Sequence, residues 1–202
     1  MEADKLQSLR VAGIALAVSA MLASVLMHHH PHGGDGAAMI RGVHGGLLAL
    51  LAVQPVVIAL VARALGWNLL TSLAAFLFAI GSLGAMLAGT INGFVVPALW
   101  AYPEGEIGPG VGQLAWEMNQ ALATNGAVAT GAGIALIAIS LWQAGWRVTS
   151  ALGVIAGLVP PILLIFGVID MHFYGAMATY LTQLSWLFLF GMVLAREASR
   201  AD

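Results

Sequence analysis

Residues 43–62 read Val-His-Gly-Gly-Leu-Leu-Ala-Leu-Leu-Ala-Val-Gln-Pro-Val-Val-Ile-Ala-Leu-Val-Ala, with Arg41 and Arg63 standing just outside either end. Twenty residues at a helical rise of about 1.5 Å cover about 30 Å, the thickness of a bilayer's hydrocarbon core. No charge interrupts the run, so it reads as a helix that crosses a membrane. Five more stretches of the same kind follow on either side: residues 11–27, 69–91, 119–141, 148–169 and 173–195. The expected fold class is therefore all-α, a polytopic transmembrane helical bundle of six transmembrane helices, with residues 1–202 forming a single integral-membrane domain.

Composition agrees. The chain is 60% hydrophobic and only 8% charged, about a third of the roughly 25% charge of a soluble protein. Its lipid bilayer is thus its first partner, with other membrane subunits as further candidates. A net charge of −2 and the lack of any Lys/Arg cluster leave nothing to bind a phosphate backbone, so nucleic acid is not expected as a partner. There is no cysteine, which removes disulfides, thiolate metal sites, iron–sulfur clusters and covalent haem attachment together.

The few charges are placed asymmetrically. Lys5 and Arg10 precede the first span, Arg63 and Arg147 lie in the second and fourth connections, and Arg196 and Arg200 follow the last; Arg41 alone lies opposite. The positive-inside rule then places both termini in the cytoplasm and the chain in the cytoplasmic (inner) membrane, N-in and C-in. Trp67, Trp142 and Trp146 flank the short inner turns at Gly66 and Gly145 as interfacial anchors. The first span is expected to be retained, because it is longer than a signal peptide's apolar region of about 7–15 residues and has no clear small-x-small cleavage site.

Helices in lipid must gain their contact through close approach of small residues. Gly81, Ala85 and Gly89 share one face of the third helix, Ala129 and Gly133 repeat the spacing on the fourth, and Gly153 and Gly157 do so on the fifth. Pro55 and the pair Pro160 and Pro161 interrupt helices two and five near mid-membrane, where they are candidates for kinks that shape a cavity.

All six histidines fall on the side opposite most of the Lys/Arg: a histidine-rich loop with His28, His29, His30 and His32, then His44, and His172 beside Asp170. Polar stripes run inward from that side. Gln113, Glu117, Gln120 and Thr124 fall on one helical face, His172, Thr179 and Gln183 on another, and His44 and Gln54 on a third. Amides and charges facing lipid would be costly, so these stripes are expected to line a polar cavity open to the outside.

Within it, His44, Glu117, Asp170 and His172 are the candidate ligands of a transition metal, with His28, His30 and His32 as auxiliary ligands. Imidazole and carboxylate donors suit Zn or Cu, and also Fe. Asp170 and His172 are two residues apart and would diverge in a regular helix, so they share a site only if the chain turns there. In an enzyme built on this set, Glu117 or Asp170 would move the proton of a metal-bound water. The spacings match none of H-E-x-x-H, H-x-x-E-H or the deaminase signature. Two other functional classes share the pattern. One is a haem b protein exchanging electrons with a quinol, with His44 and His172 as axial ligands. The other is non-catalytic, an accessory subunit of a membrane complex or a small-solute carrier. Proton pumping is disfavoured, because no Lys, Arg or carboxylate lies deep in an apolar span.

Overall fold

The structure, a computed structural model, describes residues 2–31, 35–103 and 105–200. His32 and Glu104 lie outside the described residues. The described chain is helical: α1 (Glu2–His28), α2 (Ala37–Ala64), α3 (Leu69–Thr90), a π-helical turn (Ile91–Val95), a short α4 (Val96–Leu99), α5 (Pro109–Gln143), α6 (Arg147–Ile165) and α7 (Phe173–Arg200). Six helical stretches are long and apolar enough to cross a membrane, with α3, the π turn and α4 forming one span from Leu69 to Leu99. The six-span bundle expected from the sequence is what the chain forms.

Several helices run past the expected spans, as α2 does from Ala37 and α7 to Arg200, and three of the differing boundaries have a local reason. The third span runs on to Leu99 because Pro97, which cannot donate an N–H, is accommodated by the π turn instead of ending the helix. The fourth span begins at Pro109, ten residues before the expected Asn119, since proline suits the first turn of a helix, where its missing N–H has no partner to lose. The fifth ends at Ile165 rather than residue 169. Gly167 turns left-handed there with φ +66, and the Val168 N–H closes back on the Leu163 carbonyl at 2.9 Å.

The other turns are built as their sequences suggest. Gly66 and Gly145 adopt φ of +98 and +91 at the ends of α2 and α5. Asn68 then starts α3 with a reciprocal cap: its side chain accepts from the backbone of Leu70 and Thr71, while the Thr71 hydroxyl oxygen accepts from the Asn68 N–H.

The helices form a closed ring in chain order. Each long helix packs on the next, and α1 closes the ring against α7. Gly13 of α1 lies against Gly191 and Ala195, so the start of α1 meets the end of α7 and both termini lie at one end of the bundle. Arg10, Arg63, Arg147, Arg196 and Arg200 sit toward this terminal end by their positions in the helices. Arg41 and the described histidines lie toward the other, the histidine end.

Small residues close the seams as expected. A Cβ on Gly126 would lie 2.7 Å from the backbone N of Ala85 and 2.9 Å from the Gly81 carbonyl, so α3 and α5 touch backbone to backbone. Gly133 meets Phe78 in the same seam, and Gly157 meets Gly131 and Ala135 between α6 and α5. Gly89 is different: it meets only Leu48 of α2, at an ordinary 3.5 Å.

Four polar side chains inside the ring are tied to carbonyls of neighbouring helices. Asn119 donates to Ala88 at 2.8 Å, Gln183 to Ala127 at 3.0 Å, the Trp186 indole to Thr149 at 2.8 Å, and Ser150 to Ala138. Each removes a donor from an apolar setting and fixes two helices in register.

Candidate functional site

Toward the histidine end the ring opens around a cavity of about 480 Å³. Its walls are mainly apolar, from Met27, Leu47, Leu51, Ala88, Ala123 and Leu184 among others. Its polar side chains are few: His30, His44, Asn92, Asn119 and Gln120, with the hydroxyl of Tyr180 and the indoles of Trp100 and Trp116 on otherwise apolar rings. Among the described lining residues there is no Lys, Arg, Asp or Glu.

His44 is the most buried ionisable side chain of this wall, 3% exposed in the second turn of α2. Two features position it. Its Nδ1 lies 2.8 Å from the Ile40 carbonyl one turn back, and its Cβ rests on the bare Cα of Gly93 across the helix interface, where any side chain would overlap the His44 ring and Cβ. Gly93 reaches that position within the π turn, which also aims Asn92 at the cavity. A single π turn inside a helix widens it by one residue and re-aims side chains, a device common at binding sites. The Ile91–Pro97 segment shows its signals in the sequence, Asn-Gly followed by a proline four residues beyond the glycine.

His30 stands over the site from the loop after α1. Its ring meets that of His44 edge-on with centroids 5.0 Å apart, and its Nδ1 lies 3.1 Å from the Pro31 carbonyl. The sequence suggests only an auxiliary role for it; among the described histidines it is the one whose ring meets that of His44. His28 and His29 are exposed, stack edge-on against each other and do not line the cavity.

The remaining expected ligands are placed elsewhere. Glu117 is exposed and accepts a hydrogen bond from Gln113. The inner face of α5 is Ala115, Asn119, Ala123 and Ala127, and residue 117 points away from it. Gln120 of the same expected stripe does reach the cavity, beside Trp116.

Asp170 and His172 come together, because the chain does turn there. The Asp170 carboxylate accepts from the His172 backbone N–H at 3.0 Å and lies 2.8 Å from its Nδ1, in a pair that is more than half exposed on both sides. The His172 N–H, followed by its imidazole, holds the Asp170 carboxyl below the usual carboxylate range. The pair sits at the cavity rim: the His172 ring lies 5.5 Å from that of Trp116, and the flanking Met171 and Phe173 line the cavity. Gly175 makes this turn achievable, for a side chain there would fall on the Asp170 carbonyl.

Thus His44, Glu117, Asp170 and His172 do not converge on one centre. Among the described residues no group of three His, Asp or Glu is placed to hold a metal ion. For a haem b carried by His44 and His172, the first faces the cavity while the second is engaged by Asp170 at the rim.

The chain matches no family model, no curated protein and no solved structure. What the site can do chemically therefore rests on its geometry. It can enclose an apolar body and offer that body a small number of hydrogen bonds, with no charge to meet one on the ligand.

Proposed function

We propose that this is a ligand-binding protein of the cytoplasmic membrane, with both termini in the cytoplasm and the cavity in the outer half of the bilayer. Its ligand is a small, neutral, mostly apolar molecule taken from the lipid phase. The observation that carries this reading is the cavity: about 480 Å³, apolar walls, a few converging polar groups and no charged residue among its described lining. Pockets for organic ligands are built in this way and fall at about 300–1,000 Å³. The orientation rests on the Lys/Arg bias toward the terminal end. Such a site suits a carrier, or an accessory subunit that presents a lipid-borne molecule to a larger membrane complex.

One observation favours a second reading, a soft metal ion in the same place. His30 and His44 both set Nδ1 on a backbone carbonyl, as metal-bound imidazoles commonly do, and Met27, Met171 and Met177 line the same cavity. Thioethers with imidazole suit Cu(I), a different donor set from the imidazole and carboxylate ligands on which the sequence led to the expectation of Zn or Cu.

The two are separated by analysing protein purified into lipid nanodiscs without nickel resin, by mass spectrometry of an organic extract and by elemental analysis. The expected result is one organic molecule per chain in the wild type and none in Gly89→Phe, which fills the cavity beside Leu48. One metal ion per chain without an organic molecule would hand the site to the second reading. If neither is found and an added apolar probe does not bind, the proposal fails.

A further inference from the structure

We infer that the ligand is a hydrogen-bond donor: a hydroxylated ring lipid, a phenol or quinol, whose O–H is received by Nε2 of His44. This rests on the cavity reading above and narrows it to one chemical class.

The direction of the bond follows from the other ring nitrogen. The Ile40 carbonyl, 2.8 Å from Nδ1, can only accept, so Nδ1 carries the hydrogen. Among the described residues no carboxylate pairs with this histidine, and a charged imidazole in an apolar wall would be uncompensated. The ring is therefore neutral, and in the neutral tautomer with hydrogen on Nδ1 the lone pair is on Nε2. That nitrogen makes no hydrogen bond within the described chain, yet it is not among the polar atoms sealed from all access, Gln54 Nε2 and Thr179 Oγ1. His44 itself is 97% buried and lines the cavity, so the opening it has is the cavity. An acceptor fixed in this way by a backbone carbonyl and by Gly93 selects a donor.

The rest of the lining agrees. Two of the other amides are committed toward the protein: Asn119 gives an N–H to Ala88, and Gln120 lies 3.4 Å from Asn119 Oδ1, while Asn92 faces the cavity and can both donate and accept. No charged group is offered, which excludes an ionised partner. Trp100, Trp116, Phe173 and Tyr180 supply aromatic surface around the upper cavity, and Leu47, Leu51 and Leu184 supply an apolar floor for a tail. A ring with a hydroxyl and an alkyl chain satisfies each part. The oxidised quinone, with carbonyls only, does not satisfy Nε2.

The test is equilibrium binding of 4-octylphenol and its methyl ether, 4-octylanisole, to the full chain in lipid nanodiscs, with partition into empty nanodiscs subtracted. The two probes share ring and tail and differ in the O–H. The phenol is expected to bind at least tenfold more tightly to the wild type, with that preference lost in His44→Phe while the ether still binds. Equal affinities in the wild type, or a phenol preference that survives His44→Phe, would overturn the inference and leave the cavity reading standing. Binding of neither probe would remove the cavity reading itself. Because the wild-type comparison stands alone, the result does not depend on how well the variant folds.

Discussion

The two halves of this bundle use glycine for opposite purposes. From mid-membrane to the terminal end, Gly13, Gly81, Gly126, Gly133, Gly157 and Gly191 close helix seams, each with backbone of a neighbouring helix where a Cβ would stand. Toward the histidine end, Gly93 and Gly175 instead seat particular groups, His44 and the Asp170 turn, around a space the helices leave open. His44 differs from the polar side chains that tie helices together, including Asn119 in the cavity wall. Gln183, Trp186 and Ser150 in the closed part spend their donors on carbonyls of adjacent helices, while His44 in the open part spends one nitrogen on its own helix and keeps the other for the cavity. In lipid, where no hydrophobic effect drives helices together, the closed half must supply the association energy that lets the open half exist.

The comparison is broken most severely at Gly126. In Gly126→Leu the side chain meets the Ala85 N and the Gly81 carbonyl, which are main-chain atoms of a long helix and cannot step aside. The expected cost is about 3 kcal/mol, read as a large fall in Tm in detergent. A change of under about 1 kcal/mol would mean that α3 and α5 are not in backbone contact.

At Gly93 the expected stability loss is smaller but the functional loss is complete. Gly93→Ala displaces the His44 ring and should cost about 1–3 kcal/mol, with loss of the phenol-over-ether preference. The matched control is Gly89→Ala, four residues earlier on the same span, where the new methyl meets only Leu48 at 3.5 Å. It should be neutral or gain up to about 1 kcal/mol from the better helix propensity of alanine. Equal effects at the two positions would remove the special role given to the π turn.

How much of this was legible beforehand follows the same division. The spans and the close-packed glycines could be read from the sequence because both depend on local composition. The site was read in part. His44 and its inward face are in place, since its spacing to Gln54 on α2 marks the buried stripe. Glu117 departs from its expected place because the polar residues at the start of α5 do not form its inner face. That face is marked instead by alanines, with Asn119 the one buried amide among them and its side chain spent on α3. The placement of His30 over His44 depends on how a loop folds back, and no helical period encodes that. Asp170 and His172 meet because the chain leaves helical geometry between Gly167 and Phe173, a turn whose signal was the glycine at 167 and the one at 175. The order of helices around the ring was not encoded by any spacing.

A weaker test concerns two buried polar atoms that have no partner among the described residues, Gln54 Nε2 and Thr179 Oγ1. Both lie in the interior of the ring and neither lines the cavity. A group of this kind is destabilising wherever it is unpaired, so Gln54→Leu and Thr179→Val should each stabilise the protein by about 1 kcal/mol in chemical or thermal unfolding. Loss of stability in either variant would show that its polar atom does have a partner in the membrane-embedded protein.

The smallest effect is expected at the rim. The Asp170 carboxyl is held below its ordinary range in the folded chain by the His172 N–H and imidazole. A carboxylate depressed on folding contributes stability that is fully present above its unfolded value of about 3.9 and fades as the pH falls through the folded value below it. The wild type should therefore lose a small increment of stability as the pH is lowered past about 4, and Asp170→Asn, which cannot titrate, should lack that increment. At neutral pH the same variant should unfold slightly more easily, because the amide accepts from His172 less strongly than the carboxylate. The pair is more than half exposed, so water and salt screen it, and the difference should shrink further as ionic strength rises. An acid limb identical in the two proteins would show that Asp170 does not hold the turn, leaving Gly175 and its contact with the Asp170 carbonyl to set the rim.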